Sequence, residues 1–259
     1  MISAHPGRTP LVISMPHVGR GIPADIGRRM TPAALAVPDT DWHVERLYAF
    51  ARAEGAAWLE PHLSRYVVDL NRPPDDAPLY PGQVSTGLCP ERSFDGEPLY
   101  AATGPSAEEI AARRKDYWQP YHSALAALLD AARARHGYAV LLDGHSIRSQ
   151  VPRLFPGRLP DINLGSNDGR SCAAALSGAV LGVVAAHASF SHVLDGRFRG
   201  GYITRHYGRP ADGVHALQIE LAQSAYMDES GSDYEAERAA PLVALLRQVV
   251  AALLAFRPA

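Results

Sequence analysis

The chain predicts an α/β fold: a mixed, largely parallel sheet flanked by helices and forming one domain over residues 1–259. Three observations carry this. The run Ala139-Val140-Leu141-Leu142 has no polar alternation, which is the pattern of a strand buried on both faces in the middle of a parallel sheet. Leu11 to Ser14 and Ala216 to Leu221 are further apolar runs of strand length. Long stretches of helical character, Ser106 to Arg135, Arg170 to Ala186 and Tyr234 to Phe256, separate or follow them. A length of 259 residues suits one large α/β unit, with nothing in the composition forcing a split.

The first strand, in LVISMPHVG, ends at His17 beside Pro and Gly. Gly19 to Pro38 is rich in turn residues and reads as a loop. Asp39-Thr40-Asp41 opens a helix that Gly55 stops, with the acidic residues suited to its first turn. Ala56 to Glu60 and Arg65 to Leu70 read as short strands, the second leading into Asn71-Arg72. An amide next to a planar guanidinium fork can grip a carboxylate, and equally reads as a surface salt bridge. Pro73 to Pro105 lacks periodicity and is read as an extended loop, a length often used for a lid or a site.

Ser106 with Glu109 is a capping box opening a helix that runs to Arg135. Pro120 should kink that helix and Gly137 should end it. The strand after it, YAVLLDGHS, delivers Asp143 and His145 at its carboxyl end, where open parallel sheets place their ligands. Two imidazoles on separate strand ends suit a metal or acid/base pair, although either alone reads as a loop His bonded to its own turn. Ile147 to Asp168 is a loop in which Arg148, Arg153 and Arg158 favour an anionic ligand or simply face solvent. The Arg170 to Ala186 helix is apolar almost all round, as for burial, and Phe190 to Leu194 reads as a strand. In RGGYITRHYG, residues 199–208, paired glycines allow either close backbone approach or a tight turn beside Arg205 and His206. Glu220 is the one charge in ALQIEL, and a lone carboxylate in a buried strand is costly unless paired or used.

Charge and cysteine content exclude several classes. A net charge of −2, with 47% hydrophobic and 20% charged residues, gives no bulk basic signal for nucleic acid or membrane surfaces. The N-terminus lacks a signal-peptide pattern, and residues 173–186 and 242–256 read as too short or too interrupted to span a bilayer, so the expected location is cytoplasmic. Cys89 and Cys172 have no CxxC spacing and are read as free thiols. The oligomeric state is left open.

Five segments in order, SMPHVG, SRYVVDLNRPPDD, DGHSIRS, RGGYITRHYG and HALQIELAQSAYMDE, closely resemble the N-formylglutamate amidohydrolase family of histidine degradation, from Leu11 to about Glu229. The resemblance implies a fold related to zinc carboxypeptidases and aspartoacylases, a divalent metal expected to be zinc, and hydrolysis of the small molecule N-formyl-L-glutamate to formate and glutamate. It implies His17 and His145 as metal ligands, a carboxylate as third ligand and Glu220 as the catalytic acid/base. The related carboxypeptidases carry their ligand carboxylate three residues after the first His, where this chain has Arg20. Asp41 is therefore the favoured third ligand, with Asp39 and Asp143 as rivals. Asn71 and Arg72 resemble the carboxylate-binding pair of those relatives, and Arg205 and Arg148 are the further candidate cations. An aspartoacylase- or carboxypeptidase-like hydrolase and a non-catalytic metal-dependent binding protein are the competing readings.

Overall fold

A computed structural model describes residues 1–78 and 86–258. Seven strands form one sheet: β1 (Ile2–His5), β2 (Leu11–Ser14), β3 (Ala57–Pro61), β4 (Ala139–Ile147), β5 (Ile162–Gly165), β6 (His192–Leu194) and β7 (Val214–Ala222), in the order β1-β3-β2-β4-β7-β5-β6. The block β3-β2-β4-β7 is parallel throughout. Antiparallel pairs occur at β1 with β3 and at β5 with β7, while β6 runs parallel to β5. The sheet is thus mixed and mostly parallel.

The helices are α1 (Ala24–Gly27), α2 (Pro32–Leu35), α3 (Val44–Leu47), α4 (Phe50–Ala53), α5 (Ala107–Arg113), α6 (Gln119–His136), α7 (Ala174–Ala185), α8 (Tyr202–Tyr207) and α9 (Ala236–Ala255). Strand alternation divides the core between the two faces of the sheet. Leu11, Ile13, Val140, Leu142, Leu217 and Ile219 pack with Leu176, Val180 and Val184 of α7 and with Leu242, Leu246 and Leu253 of α9. On the other face Val12, Leu59, Leu141 and Ala216 meet Tyr121, Leu125 and Leu129 of α6 and Ile203 of α8. Burying each aliphatic side chain of this kind is worth about 1.5–3 kcal/mol, so the central strands are the least movable part of the molecule. By length and composition α9 could cross a membrane, but its apolar face forms part of this core. Cys89 and Cys172 are free and buried.

Several elements differ from the sequence expectation. β4 does not stop at Leu142 but continues through Asp143 and His145 to Ile147, because β7 supplies hydrogen-bonding partners along its whole length. Arg65 to Leu70 forms no strand; the chain turns there, with Val67 N–H bonded to Ser64 C=O and Arg65 folded back onto Asp69. The helix expected from Asp39 starts only at Val44, since His43 at φ +62° interrupts regular backbone ahead of it, and it divides into α3 and α4 where Tyr48 leaves helical backbone; neither Asp39 nor Asp41 caps it. The 19–38 loop holds the single-turn helices α1 and α2, and the 147–168 loop holds β5. β1 had no clear apolar signature and was not expected.

Ser106 accepts from Glu109 N–H as the capping box requires. Between α5 and α6 lies a π-helical turn, Arg114–Trp118, immediately before Pro120. Proline lacks the N–H for the i−4 carbonyl, and the wider turn absorbs that break without a sharp stop. Gly137, at φ +82°, closes α6 with a bond from its N–H to Arg133 C=O. The expected extended region, Pro73 to Pro105, lies partly outside the described residues; what is described of it is irregular.

Candidate active site

The parallel strands aim their carboxyl ends at a cleft open to solvent. β2 leads through Met15-Pro16 to His17, and Asp41 is tied beside it by a bond from its N–H to His17 C=O. β4 carries Asp143 and His145, and β7 lies in register with Gln218 opposite Asp143 and Glu220 opposite His145. Paired residues of adjacent strands share a face, so His145, Asp143, Gln218 and Glu220 stand on one wall, and His17 and Asp41 join the cleft from the chain beyond β2.

His17, Asp41 and His145 are all buried and present ligand atoms within 4.8 Å of one another. Asp41 Oδ2 lies 2.9 Å from His145 Nδ1 and 3.6 Å from His17 Nδ1. Behind each imidazole stands a buried carboxylate: Asp69 Oδ1 at 2.7 Å from His17 Nε2, and Asp143 Oδ1 at 3.1 Å from His145 Nε2. Ionised carboxylates only accept, so Asp69 and Asp143 call for hydrogen on each Nε2, and Asp41 calls for one on His145 Nδ1 as well, which a bound ion would displace. Carboxylate-backed imidazoles of this kind are the usual outer support of a metal site. Two such imidazoles and a carboxylate form a donor set that suits a divalent ion, zinc included.

The charges are arranged to keep the acids ionised. For Asp69, burial opposes ionisation, but His17, Arg72 and Arg65 outweigh it and hold the carboxyl well below its usual range. Asp41 behaves the same way: burial raises it, and His17 and His145 bring it down further than burial lifts it. His145 is raised well above an ordinary imidazole, since Asp143 and Asp41 overcome the effect of burial. Arg65 binds the set together, with Nη2 2.7 Å from Asp69 Oδ2, Nη1 3.6 Å from Asp41 Oδ1, and its guanidinium over the Phe94 ring. Glu220 lacks such support. Burial pushes its carboxyl up to about 8, only partly offset by His145, which leaves it able to exchange a proton near neutrality.

Other candidates fall in different places. Asp143 gives one oxygen to His145 and accepts from Thr204 with the other, so it stands behind the triad. Asp39 accepts from Tyr66 O–H and Phe94 N–H and lies outside the triad, burial having raised its carboxyl. Asn71 lines the cleft; its Oδ1 accepts from Ile203 N–H while Nδ2 sits 3.0 Å from His145 Nε2. Arg72 also lines it, steadied by bonds to Thr86. Arg148 and Arg205 do not line it. Arg148 is drawn to Asp95 at 2.8 Å, with Asp39 at 3.8 Å, and Arg205 donates Nε–H to Gly200 C=O. Sequence reasoning missed Arg65, Asp69, Arg197 and Gln218 as contributors to this site. Asp69, a charge following the apolar Tyr66-Val67-Val68, could have been found by the argument applied to Glu220; Arg197 carries no local signal.

A mostly parallel α/β sheet with a buried His-Asp-His cluster at its strand ends, beside a desolvated glutamate, defines an α/β protein with a possible metal-binding site suited to hydrolytic chemistry. The comparisons give this class its family. The sequence model described as N-formylglutamate amidohydrolase matches residues 9–227. Proteins named N-formylglutamate deformylase from Pseudomonas aeruginosa and Pseudomonas putida are 51% and 48% identical over 258 residues, covering 99% of this chain and 97% and 96% of theirs. The crystal structure of N-formylglutamate amidohydrolase from Ralstonia eutropha JMP134 superposes with a TM-score of 0.81 at 27% identity, covering 98% of this chain and 95% of that one. A structure from Agrobacterium tumefaciens shares the fold at a TM-score of 0.73 and 19% identity, covering 98% and 93%. The chain belongs to the N-formylglutamate amidohydrolase family.

Proposed function

We propose that the chain is a metal-dependent deformylase that hydrolyses N-formyl-L-glutamate to formate and L-glutamate, the last step of histidine degradation. The observation that carries the metal is the pair of carboxylate-backed imidazoles turned toward Asp41, with Glu220 on the same wall. A divalent ion, zinc by its donor set, would be held by His17, Asp41 and His145, lower the pKa of a bound water to roughly 7 and polarise the formyl oxygen.

The protein's own groups supply the rest. Glu220 takes the proton of the attacking water and delivers it to the amide nitrogen as the C–N bond breaks, so formate and a free amine leave together. Asp69 and Asp143 keep the imidazoles in the donating tautomer and orientation. Arg72 and Arg197, both lining the cleft, are suited to the substrate's two carboxylates, which shifts the role expected of Arg205 to Arg197. Phe94, Ile147, Leu154 and Phe198 give the cleft an apolar rim that thins the water around the reacting carbon. The same reading treats residues 1–259 as one domain of a fold related to the zinc carboxypeptidases, working in the cytoplasm on a small molecule.

The test is formate release from N-formylglutamate beside acetate release from N-acetylaspartate. Formylglutamate should be strongly preferred, chelation should abolish turnover, and zinc or another divalent ion should restore it. His145→Ala should lose bound metal together with activity. Undiminished turnover in metal-free protein overturns the metal site; preference for the acetylated substrate overturns the substrate.

A further inference from the structure

Gln218 is a buried amide on β7, with only 3% of its surface exposed, and it lines the cleft. Its Oε1 accepts from Gly201 N–H at 2.7 Å, which fixes the orientation of the amide: Nε2 must face away from Gly201. No partner for Nε2 occurs among the described residues. Gly201 lies close against Asn71, where a Cβ would stand 2.3 Å from Asn71 Nδ2, and Asn71 is anchored to Ile203 N–H and set against His145. These contacts hold a neutral donor at the cleft surface with no protein acceptor among the described residues, where water or a ligand completes it.

Its place relative to Glu220 identifies what completes it. Gln218 and Glu220 are two residues apart on one strand, so they share a face with their Cα atoms ~6.6 Å apart, and their side chains have the same length. Four bonds separate the amide nitrogen of a formylglutamate from its distal carboxylate carbon, a comparable span when the chain is extended. The α-carboxylate is too close to the scissile nitrogen to reach. We infer that Gln218 is a specificity-determining residue that donates its amide hydrogen to the carboxylate distal to the scissile bond while Glu220 works at the formyl end. This rests on the deformylase reading. The side chain places a donor near Asp143 and Glu220 without adding a further buried charge, so the acceptor it favours is the ligand's.

The experiment compares N-formylglutamate with N-formylnorvaline, which has a methyl in place of the distal carboxylate, in the metal-loaded wild type, Gln218→Glu and Gln218→Met. Gln218→Glu keeps an acceptor for Gly201 but replaces the donor with a carboxylate that repels the ligand's. Both variants should lose about 10–100-fold in kcat/KM on formylglutamate, mainly through KM, as for a lost hydrogen bond to a charged group. The loss on formylnorvaline by Gln218→Met should be about tenfold smaller than on formylglutamate, since only the contact with Gly201 is lost there and no bond to a distal carboxylate exists to lose. Equal losses on both substrates overturn the assignment. So does a Gln218→Glu variant near wild type on formylglutamate, which would leave Gln218 as a support for Gly201. If Gln218→Met fails to fold, Gln218→Glu decides alone. A wild type that releases no formate from formylglutamate is a different failure, of the activity itself, and removes this inference with it.

Discussion

The two ends of the cleft are built on opposite plans. At the metal end every ionisable group is answered by another: His17 by Asp69, His145 by Asp143, Asp41 by both imidazoles, and Asp69 by Arg65. At the substrate end Arg72 bonds to neutral Thr86 and stands 4.0 Å from Asp69, and Gln218 turns its amide hydrogen toward the cleft. The first end is organised before anything binds, as a preformed charge network in a poorly solvated site should be. The second is completed by its ligand. Glu220, with no cation of its own, stands between them, the one carboxylate on the metal wall that burial rather than pairing controls.

Removing the proton acceptor between the two ends should have the largest effect. Glu220→Gln keeps the shape and much of the hydrogen bonding but cannot take a proton, so kcat should fall on the order of 10²–10⁴-fold with metal content and substrate affinity little changed. Loss of metal in this variant would make Glu220 a ligand. Activity within a few-fold of wild type would mean that the metal end alone carries the chemistry.

A smaller effect tests whether the metal end depends on its outer support. Asp69→Asn can still accept from His17 through its oxygen, but it turns an N–H₂ toward Arg65 and removes the charge that orients the imidazole. Metal affinity should drop about 10–100-fold, as measured by competition with a chelator, while activity at saturating metal recovers most of its wild-type value. Unchanged affinity would show that Arg65 and Asp69 serve folding rather than the site.

This division also explains what could be read in the sequence. β4 and β7 were legible because both faces are buried, leaving continuous apolar runs in which Asp143, His145 and Glu220 stand out. Ser106 and Gly137 were legible because capping chemistry is local. Arg65 to Leu70 misled because its apolar residues suggest a strand, whereas the Arg65–Asp69 pair bends the chain. β5 was hidden by its four-residue length among prolines and glycines. Arg197 and Gln218 acquire meaning only from residues far along the chain, Leu154 in one case and Gly201 in the other, and no local pattern encodes that. Arg148 and Arg205 had the right chemistry but were claimed by Asp95 and Gly200.

The smallest predicted effect concerns the support beneath the substrate end. His122 on α6 is buried, its Nε2–H donating to Leu70 C=O, directly ahead of Asn71-Arg72, and its Nδ1 bonded to the Tyr207 hydroxyl. Trp118 stacks on it with ring centroids 3.8 Å apart, and Tyr121, Tyr202 and Tyr207 enclose it. Burial, with a minor push from His206, lowers its pKa to about 3 and keeps it neutral. The unfolded chain binds a proton near pH 6.5 and the folded chain does not, so this contribution to stability is complete above that pH and is lost as pH falls toward 3. By pH 5 the loss should reach about 2 kcal/mol from this one group. Unfolding of the metal-free protein in denaturant at pH 7 and pH 5 measures it, and His122→Gln should lower stability at pH 7 but reduce the difference between the two. A variant with the wild-type difference would assign the acid sensitivity to other groups.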